Sequence, residues 1–571
     1  MKVAIAAVLA GAILAGGCSA LNKSEQVETE TAVDLPVHVR GTVGEHAGIS
    51  GGSALPVEAY GLVIGLGRNG AAEAPPQLQE FFTQYLLRRG MGSTRHGTEE
   101  VTPARILRDP DTAVVRVATT IPPGAQVGDE LDVQVDSLPQ SQLLSLDGGI
   151  LMPIEMHIAV PNAIYNRVHA KTWAKAKGPL FLNPFRGDAD DPSEQAKLRR
   201  GRVIGGAKVT RERGISLFLR RPDYALCRTI ANRINDRFPV RDKIAVAQTE
   251  ESIKIVIPSH LRPETEHLLE LIMHLPVNAR SGALEYKARE IVAAMDSPTA
   301  EHERLALVLE AIGRQILPIV RQGYTARTPK AAYWAAVAGL RLGDTKTGGD
   351  IVLREAEDST SPVQIRAVEE LGHHPDVPRS YSVLQRLVNS RNELVRIAAY
   401  EALLERGDTG IVQRYNVDGQ FQLDLVESTG RYIIYATQSE TPRIVVFGEG
   451  LEVAKPIFFS SYEELVTVNA RSRDRHLKVY RKIPRTGKKS ATMDTDFSVR
   501  DLVRLLGAEP HRAENGEMRG LGLTYGQVVT VLQEMCEGED IPAKFVLQPP
   551  QSVRRIYRDA SPVSRPDMPE S

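Results

Sequence analysis

Apolar and polar positions alternate with a period of two over much of the chain before Val277, which predicts several short β-strands. Helical spacing interrupts this pattern at Leu78, Phe82 and Leu86, and again from Tyr224 to Phe238, where the apolar positions form one stripe of an amphipathic helix. A further strand is predicted from Ala207 to Leu219. Strands followed by helices in this order favour small mixed α/β layers.

Two internal polar segments and the end of the chain depart from this pattern. Lys171 to Arg200 contains several prolines and charges, and it is predicted to be an exposed excursion. Arg485 to Asp496 is first basic and then polar, and it is predicted to be a linker. Residues 549–571 are predicted to form a disordered tail.

Residues 277–410 are predicted to be almost entirely helical. An alanine followed four positions later by a leucine recurs there at an almost constant interval. The recurring pairs are Ala336 and Leu340, Ala367 and Leu371, and Ala399 and Leu403. A period of roughly 30 residues is typical of stacked helical hairpins that bury their apolar faces on one another, and the pattern resembles HEAT-type repeats.

Strands resume after the helical segment, and two more helices are predicted at Val499 to Leu506 and Tyr525 to Cys536. The domains are therefore predicted to span residues 37–276, 277–410 and 411–548. The fold class is a multi-domain α+β protein of small mixed layers, with an inserted all-α HEAT-like solenoid.

The segment from Met1 to Cys18 is predicted to be an export signal of the lipoprotein type. Lys2 precedes an apolar run, and small residues then lead to Cys18. In a lipoprotein, Cys18 would carry the lipid, and residues 19–36 would be a polar tether. The alternative is an ordinary signal peptide that contains a cysteine.

Cys227 and Cys536 are the other two of the three cysteines. Because an exported protein meets an oxidising compartment, they are a candidate disulfide pair. Two free thiols remain the alternative.

Composition favours no nucleic-acid partner. The formal net charge is −1 and aromatic residues make up 5% of the chain, so neither a strong global field nor a set of base-stacking platforms is expected. A local basic run, Lys482, Arg485, Lys488 and Lys489, could be a nucleic-acid arm, a flexible linker or a contact to anionic peptidoglycan or lipopolysaccharide.

No cofactor, metal or catalytic constellation is predicted. The glycines at positions 61, 65, 67 and 70 resemble a dinucleotide loop, but Ala74, Pro75 and Pro76 separate them from the next helix, so a structural turn is favoured. His373 and His374 are adjacent, and adjacent side chains chelate poorly. The chain is therefore not expected to be an enzyme.

Three blocks of sequence resemble the flagellar P-ring protein family. The first runs from Tyr60 to Met152 with gaps, the second from Gly201 to Asn235, and the third from Gly522 to Val546. The signature positions are Tyr60, Gly61, Gly65, Gly67, Pro122, Pro123, Gly148, Gly149, Asp223 and Asn235. Departures from the family pattern are Arg68-Asn69 in place of a Gly-Thr pair, the cysteine at position 18 and the helical insertion.

The resemblance implies a structural subunit of the flagellar basal-body P ring, a periplasmic bushing around the distal rod, or of a closely related envelope ring. Its partners would be other copies of itself, flagellar rod and outer-membrane ring proteins, and a peptidoglycan or lipid surface. The alternative is an envelope lipoprotein that holds a partner protein on its helical repeats.

Overall fold

The computed structural model describes residues 35–51, 54–71, 73–91, 102–159, 171–185, 191–297, 299–483, 486–512 and 518–549. The fold below is that of the described residues from Val37 onward. The predicted signal peptide with Cys18, nearly all of the tether and the tail lie outside the described residues. Within those residues, no helix has both the length and the apolar character needed to cross a bilayer.

A closed six-stranded barrel and a four-stranded sheet make up the amino-terminal half. Its strands are β1 (Ala47–Ser50), β2 (Leu55–Ile64), β3 (Thr112–Ile121), β4 (Glu130–Ser137), β5 (Ile150–Ile158), β6 (Ala174–Pro179), β7 (Arg200–Val209), β8 (Ile215–Leu219), β9 (Ala245–Ala247) and β10 (Ser252–Ile255). Its helices are α1 (Val43–His46), α2 (Pro76–Arg88), α3 (Pro103–Ile106), α4 (Pro192–Leu198), α5 (Tyr224–Arg237) and α6 (Thr265–His274).

The barrel closes in the order β2-β3-β4-β7-β6-β5. Its interior is filled by side chains that alternate along each strand, such as Val115 and Val117 on β3 and Val133 and Val135 on β4. Because these side chains fill the interior, the barrel is a packed core rather than a channel.

Strand β6 shows that the predicted exposed excursion at 171–200 is wrong in its first part. Ala174 and Ala176 are buried inside the barrel, whereas Lys175 and Lys177 point outward. Alanine gives a weak apolar signal, so the alternation is hard to recognise in the sequence. A six-stranded barrel has little internal space, and small side chains fit it.

The amino-terminal sheet has the order β1-β8-β10-β9 and is antiparallel throughout. Helices α5 and α6 cover one face and share a core with it. The stretch from Ala207 to Leu219, predicted to be strand, is divided between two sheets, because β7 ends at Val209 in the barrel and β8 begins at Ile215 in this sheet.

A run of helices follows between the two sets of strands. In the described part of the chain they are α7 (Ser281–Met295), α8 (His302–Ile312), α9 (Leu317–Val320), α10 (Pro329–Arg341), α11 (Thr347–Glu357), α12 (Gln364–His373), α13 (Ser380–Leu387) and α14 (Glu393–Glu405). The recurring alanine and leucine pairs are all buried in one core. The assignment to HEAT-type repeats stays a prediction.

The carboxyl-terminal sheet has five strands in the order β11-β12-β14-β13-β21. These are β11 (Val412–Val417), β12 (Phe421–Val426), β13 (Ile433–Ala436), β14 (Arg443–Phe447) and, at the end of the chain, β21 (Lys544–Leu547). Val445 and Phe447 pack on the helical region, while Ile444 and Val446 belong to the core on the opposite face. The sheet is therefore buried on both faces.

A second, outer sheet lies within the same half of the chain, in the order β15-β16-β17-β18. The remaining elements are β15 (Ile457–Ser460), β16 (Val466–Ala470), β17 (Leu477–Arg481), β18 (Met493–Thr495), α15 (Val499–Gly507), β19 (His511–Arg512), β20 (Met518–Arg519) and α16 (Tyr525–Glu537). Met493 is buried in the core, so the linker predicted from Arg485 to Asp496 is wrong at its end.

Gly61→Val is expected to lower the free energy of unfolding of the barrel by about 1–3 kcal/mol, the usual cost of overpacking a core. The reason is steric, because Gly61 is not among the residues with positive φ. A Cβ at this position would lie 2.9 Å from Leu151 Cδ1 and 3.2 Å from Val117 Cγ2. Urea unfolding followed by Trp173 fluorescence in a Trp334→Phe background measures the loss.

The matched control is Gly48→Val on β1, where a Cβ would meet no atom within 4 Å. Equal unfolding midpoints for the Gly61 and Gly48 variants would contradict the steric explanation.

Candidate assembly site

The first signature block forms the loop that leaves strand β2. Gly65 and Gly67 have φ angles of +87° and +67°, which only glycine adopts at little cost. The Gly67 N–H donates to Asp111 Oδ1 over 2.6 Å, and the Leu66 N–H donates to the Asp111 carbonyl over 3.1 Å. The block therefore fixes the loop between β2 and the chain that enters β3, as the predicted structural turn requires.

The second pair of signature glycines packs against the same loop. Gly148 has a φ of +70°. A Cβ on Gly149 would lie 2.5 Å from Val63 Cγ1 and 2.8 Å from Leu66 Cδ2. The two glycine blocks are therefore in contact at one end of the barrel, and the contact leaves no room for a side chain on Gly149.

Helix α16 brings the third block to this end. A Cβ on Gly148 would lie 2.6 Å from Gln527 Nε2, and one on Gly526 would lie 3.0 Å from the Leu180 carbonyl oxygen. Thr524 and Gln527 form a capping box that begins the helix at this point. Parts of the sequence that are far apart therefore meet at the barrel end.

Phe181 joins the barrel to the carboxyl-terminal core. Its ring stacks on Tyr525 with a centroid distance of 5.6 Å, and it is buried among side chains of the carboxyl-terminal half. The Tyr525 hydroxyl donates to the Thr437 carbonyl over 2.6 Å, and burial raises its pKa. Arg202 on β7 adds a hydrogen bond of 3.0 Å to the Gln438 carbonyl.

The remaining signature residues hold the amino-terminal sheet together and position it against the barrel. Pro122 and Pro123 precede Gly124, where a Cβ would lie 3.1 Å from Ile215 Cδ1. Asp223 caps helix α5 by accepting from the Leu226 N–H over 3.0 Å. The Asn235 side chain both donates to and accepts from the backbone of Ala245, which fixes the helix to strand β9.

Tyr60 alternates with Gly61 along β2 and lies on the outer side of the barrel. It is half-buried among Leu78, Phe82 and Leu86 of helix α2. Within the described part of the chain, all ten signature positions therefore lie in loops, caps and packing contacts.

A chain of polar side chains connects the amino-terminal layer to the helical region. His267 Nε2 lies 2.8 Å from Glu310 Oε1, and Arg341 Nη1 lies 3.2 Å from Glu310 Oε2. Arg341 also holds Glu370 with two hydrogen bonds of 2.7 and 2.9 Å. Burial by itself would raise the pKa of both glutamates, but their hydrogen bonds with histidine and the Arg341 charge lower it.

The helical region is expected to lose stability as the pH falls below the ordinary glutamate pKa of 4.5. A carboxyl whose pKa is lowered by folding stabilises the protein above its unfolded pKa, and this stabilisation is lost as the pH falls towards its folded pKa. Glu370→Gln should weaken this acid dependence and lower the melting temperature at pH 7. Trp334 fluorescence in a Trp173→Phe background, measured at pH 7, 5, 4 and 3, follows the effect.

Glu285→Gln is the matched control, because the Glu285 side chain is 46% exposed and pairs with Arg289 at the surface. The explanation fails if the Glu370 and Glu285 variants show the same slope of melting temperature against pH.

Cys227 and Cys536 are both free thiols. Cys227 is fully buried with α5 and the amino-terminal sheet, and its Sγ donates to the Glu250 carbonyl over 3.3 Å. Cys536 packs on the carboxyl-terminal core, and burial raises the pKa of its thiol to about 12. The two belong to different cores, so the structure contains no bond between them.

The histidines set aside in the sequence lie beside glutamate side chains. His373 Nδ1 lies 3.0 Å from Glu405 Oε1, and His374 Nε2 lies 3.4 Å from Glu370 Oε1. No group of three histidine, cysteine, aspartate or glutamate side chains suited to a metal ion occurs among the described residues.

The closed barrel, the further sheets and the helical region, with signature residues in turns, caps and contacts between distant segments, define a multi-domain α+β protein. Comparison with known proteins shows which family the chain resembles. Residues 43–295 match the family model described as "Flagellar P-ring protein". The predicted resemblance to this family is therefore confirmed.

Relatives named "Flagellar P-ring protein" occur in several bacteria. The protein of Oleidesulfovibrio alaskensis is 28% identical over 233 residues, which are 39% of this chain and 57% of that relative. That of Geobacter sulfurreducens is 25% identical, covering 55% of this chain and 82% of the relative. That of Pseudomonas putida is 25% identical, covering 58% of this chain and 90% of the relative.

The family match ends at residue 295, within the first part of the predicted insertion. The resemblance of residues 412–548 lies outside the matched range and stays a prediction. The sequence did not reveal Phe181 as the link between the two halves, since a single aromatic residue in a polar segment carries no motif.

Proposed function

We propose that this chain is a structural, non-catalytic subunit of the flagellar basal-body P ring or of a closely related envelope ring. The observation that supports this most is the convergence of the signature glycines and helix α16 at one end of the barrel. The relatives' common name points the same way. The relatives favour this function over a scaffold that holds a partner on its helical repeats.

Such a subunit acts through its surfaces. A ring forms when two different, complementary faces of each copy meet head to tail and the rotation closes. The partners of the proposed ring are therefore other copies of this chain, together with flagellar rod and outer-membrane ring proteins. The packed barrel and the sheet buried on both faces give each copy the rigidity that a bushing around a rotating rod needs.

The proposed location is the periplasm, with a lipid anchor at Cys18. The sequence from Lys2 to Cys18 supports export, and several acyl chains would hold the protein on a leaflet far better than one. Cys18→Ser should release the protein into the soluble periplasmic fraction. Unchanged membrane association of that variant would contradict lipidation and leave the ring proposal intact.

Deletion of the coding sequence tests the ring proposal. Loss of swimming, with basal bodies that lack one ring by electron microscopy, is the expected result. Re-expression of the full chain should restore both the ring and swimming, and this is the control. Intact rings and normal swimming in the deletion strain would contradict the proposal, and a monomer that binds one envelope protein would favour the scaffold.

A further inference from the structure

The outer sheet presents an exposed face with aromatic and basic side chains. Phe458 on β15 is 76% exposed. The register places it beside Asn469 on β16, which in turn lies beside Lys478 on β17. Tyr480 follows on the same side of β17, and Lys489 lies over its ring at 4.8 Å. These five residues are called the aromatic–basic face.

The charge around this face is mostly positive. In the turns at the ends of its strands, or close to them, lie Arg471, Arg473, Arg475, Lys482 and Lys488. Acidic residues nearby include Asp474, Asp494, which is opposite Lys478 in the register, and Glu464, which pairs with Lys482. A large exposed aromatic ring surrounded by cations is typical of an interface, because apolar anchors supply affinity and charges select the partner.

A second surface of the same chain carries the opposite charge. Glu369 on α12, Glu401 on α14 and Glu440 in the turn between β13 and β14 are all exposed residues. The Glu401 carboxyl accepts a hydrogen bond of 2.6 Å from the Tyr435 hydroxyl. Desolvation of this carboxyl raises its pKa, whereas the Tyr435 hydrogen bond lowers it; the charges of Glu369 and Glu440 raise it, against the lowering charge of Arg443. These carboxylates outnumber the arginine beside them, which leaves the surface negative. The three glutamates are called the acidic face.

We infer that the aromatic–basic face of one copy docks on the acidic face of the next copy. The inference rests on the proposed ring, which needs two different surfaces on every subunit. The charges are opposite, and a second copy always supplies the complementary face. Both faces lie beyond residue 295, so the contact would add to any made by the residues that match the family model.

Charge reversal on each face tests the docking. One variant carries Lys478→Glu and Lys489→Glu, so both of its faces are negative; the other carries Glu369→Lys and Glu440→Lys, so both are positive. Each should self-associate about tenfold or more weakly than the wild-type chain by sedimentation velocity. An equimolar mixture should recover association, because each reversed face then meets an opposite charge.

Lys254→Glu with Lys243→Glu is the matched control. It reverses two exposed lysines near the amino-terminal sheet, and it should associate like the wild-type chain. Phe458→Ser should weaken association equally at low and at high salt. Association of the wild-type chain should weaken between 50 and 500 mM salt, because salt screens the charges and the screening length is only about 10 Å at 0.1 M. Circular dichroism and melting temperature confirm that each variant is folded.

The outcomes separate the docking from the proposed function. If the wild-type chain self-associates and both reversed variants do so equally well, the docking is wrong and the ring proposal stands. Recovery in the mixture but in neither variant alone supports the docking. A wild-type chain that stays monomeric at all concentrations contradicts both.

Discussion

Phe181→Ala is expected to lower the free energy of unfolding by about 3–5 kcal/mol, the usual cost of truncating a buried phenylalanine. Phe181 is 4% exposed and fills a core made by the opposite half of the chain. Its loss should therefore also uncouple the barrel from helix α16. Urea unfolding of two single-tryptophan variants, one keeping Trp173 in the barrel and one keeping Trp334 in the helical region, measures both effects.

The control for this prediction is Phe185→Ala. Phe185 is 43% exposed and meets Phe545 edge to face at 5.9 Å, so its truncation should cost about 1 kcal/mol or less. The two tryptophan signals should remain coincident in this variant and separate in Phe181→Ala. Coincident transitions with an unchanged midpoint in Phe181→Ala would show that Phe181 does not join the two halves.

Asp424→Ala is expected to lower the free energy of unfolding by about 3–5 kcal/mol, because a buried ion pair loses one partner. Asp424 is completely buried on β12. It accepts two hydrogen bonds from Arg414, of 2.8 and 2.7 Å, and one of 2.5 Å from the Tyr400 hydroxyl on helix α14. Arg443 lies 3.7 Å away, so the substitution leaves buried polar groups without their acceptor.

The unfolding transition reported by Trp334 should move most in this variant, since Tyr400 belongs to the helical region. Asp501→Ala is the matched control, because Asp501 pairs with Arg500 at the surface, where such pairs contribute about 1 kcal/mol or less. Equal shifts for the Asp424 and Asp501 variants would contradict a role for Asp424 in fixing the helices to the sheet.

The repeat in the helical region shows what periodicity can predict. Ala336, Ala367 and Ala399 are fully buried, as their recurrence at an almost constant interval requires of equivalent positions. The same reasoning failed for β6, where Ala174 and Ala176 are too small to give an apolar signal. Periodicity detects side chains that are large and apolar, and it misses small side chains at positions where there is little space.

The signature glycines show a second difference between what the sequence indicates and what the structure shows. The sequence indicated that Gly61, Gly65, Gly67, Gly148 and Gly149 matter, but it could not separate their reasons. Gly65, Gly67 and Gly148 adopt positive φ angles, whereas Gly61 and Gly149 leave room for neighbouring side chains. A requirement for φ is local, but a requirement for space depends on what other segments bring to that position.

The sequence by itself determined the family resemblance, the α+β class and the position of most helices and strands, because these depend on local periodicity and motifs. Only the tertiary structure decided that the barrel closes, that Phe181 enters the opposite core, and that Cys227 and Cys536 lie in different cores. Each of these depends on contacts between residues far apart in the chain, and such contacts leave no local pattern.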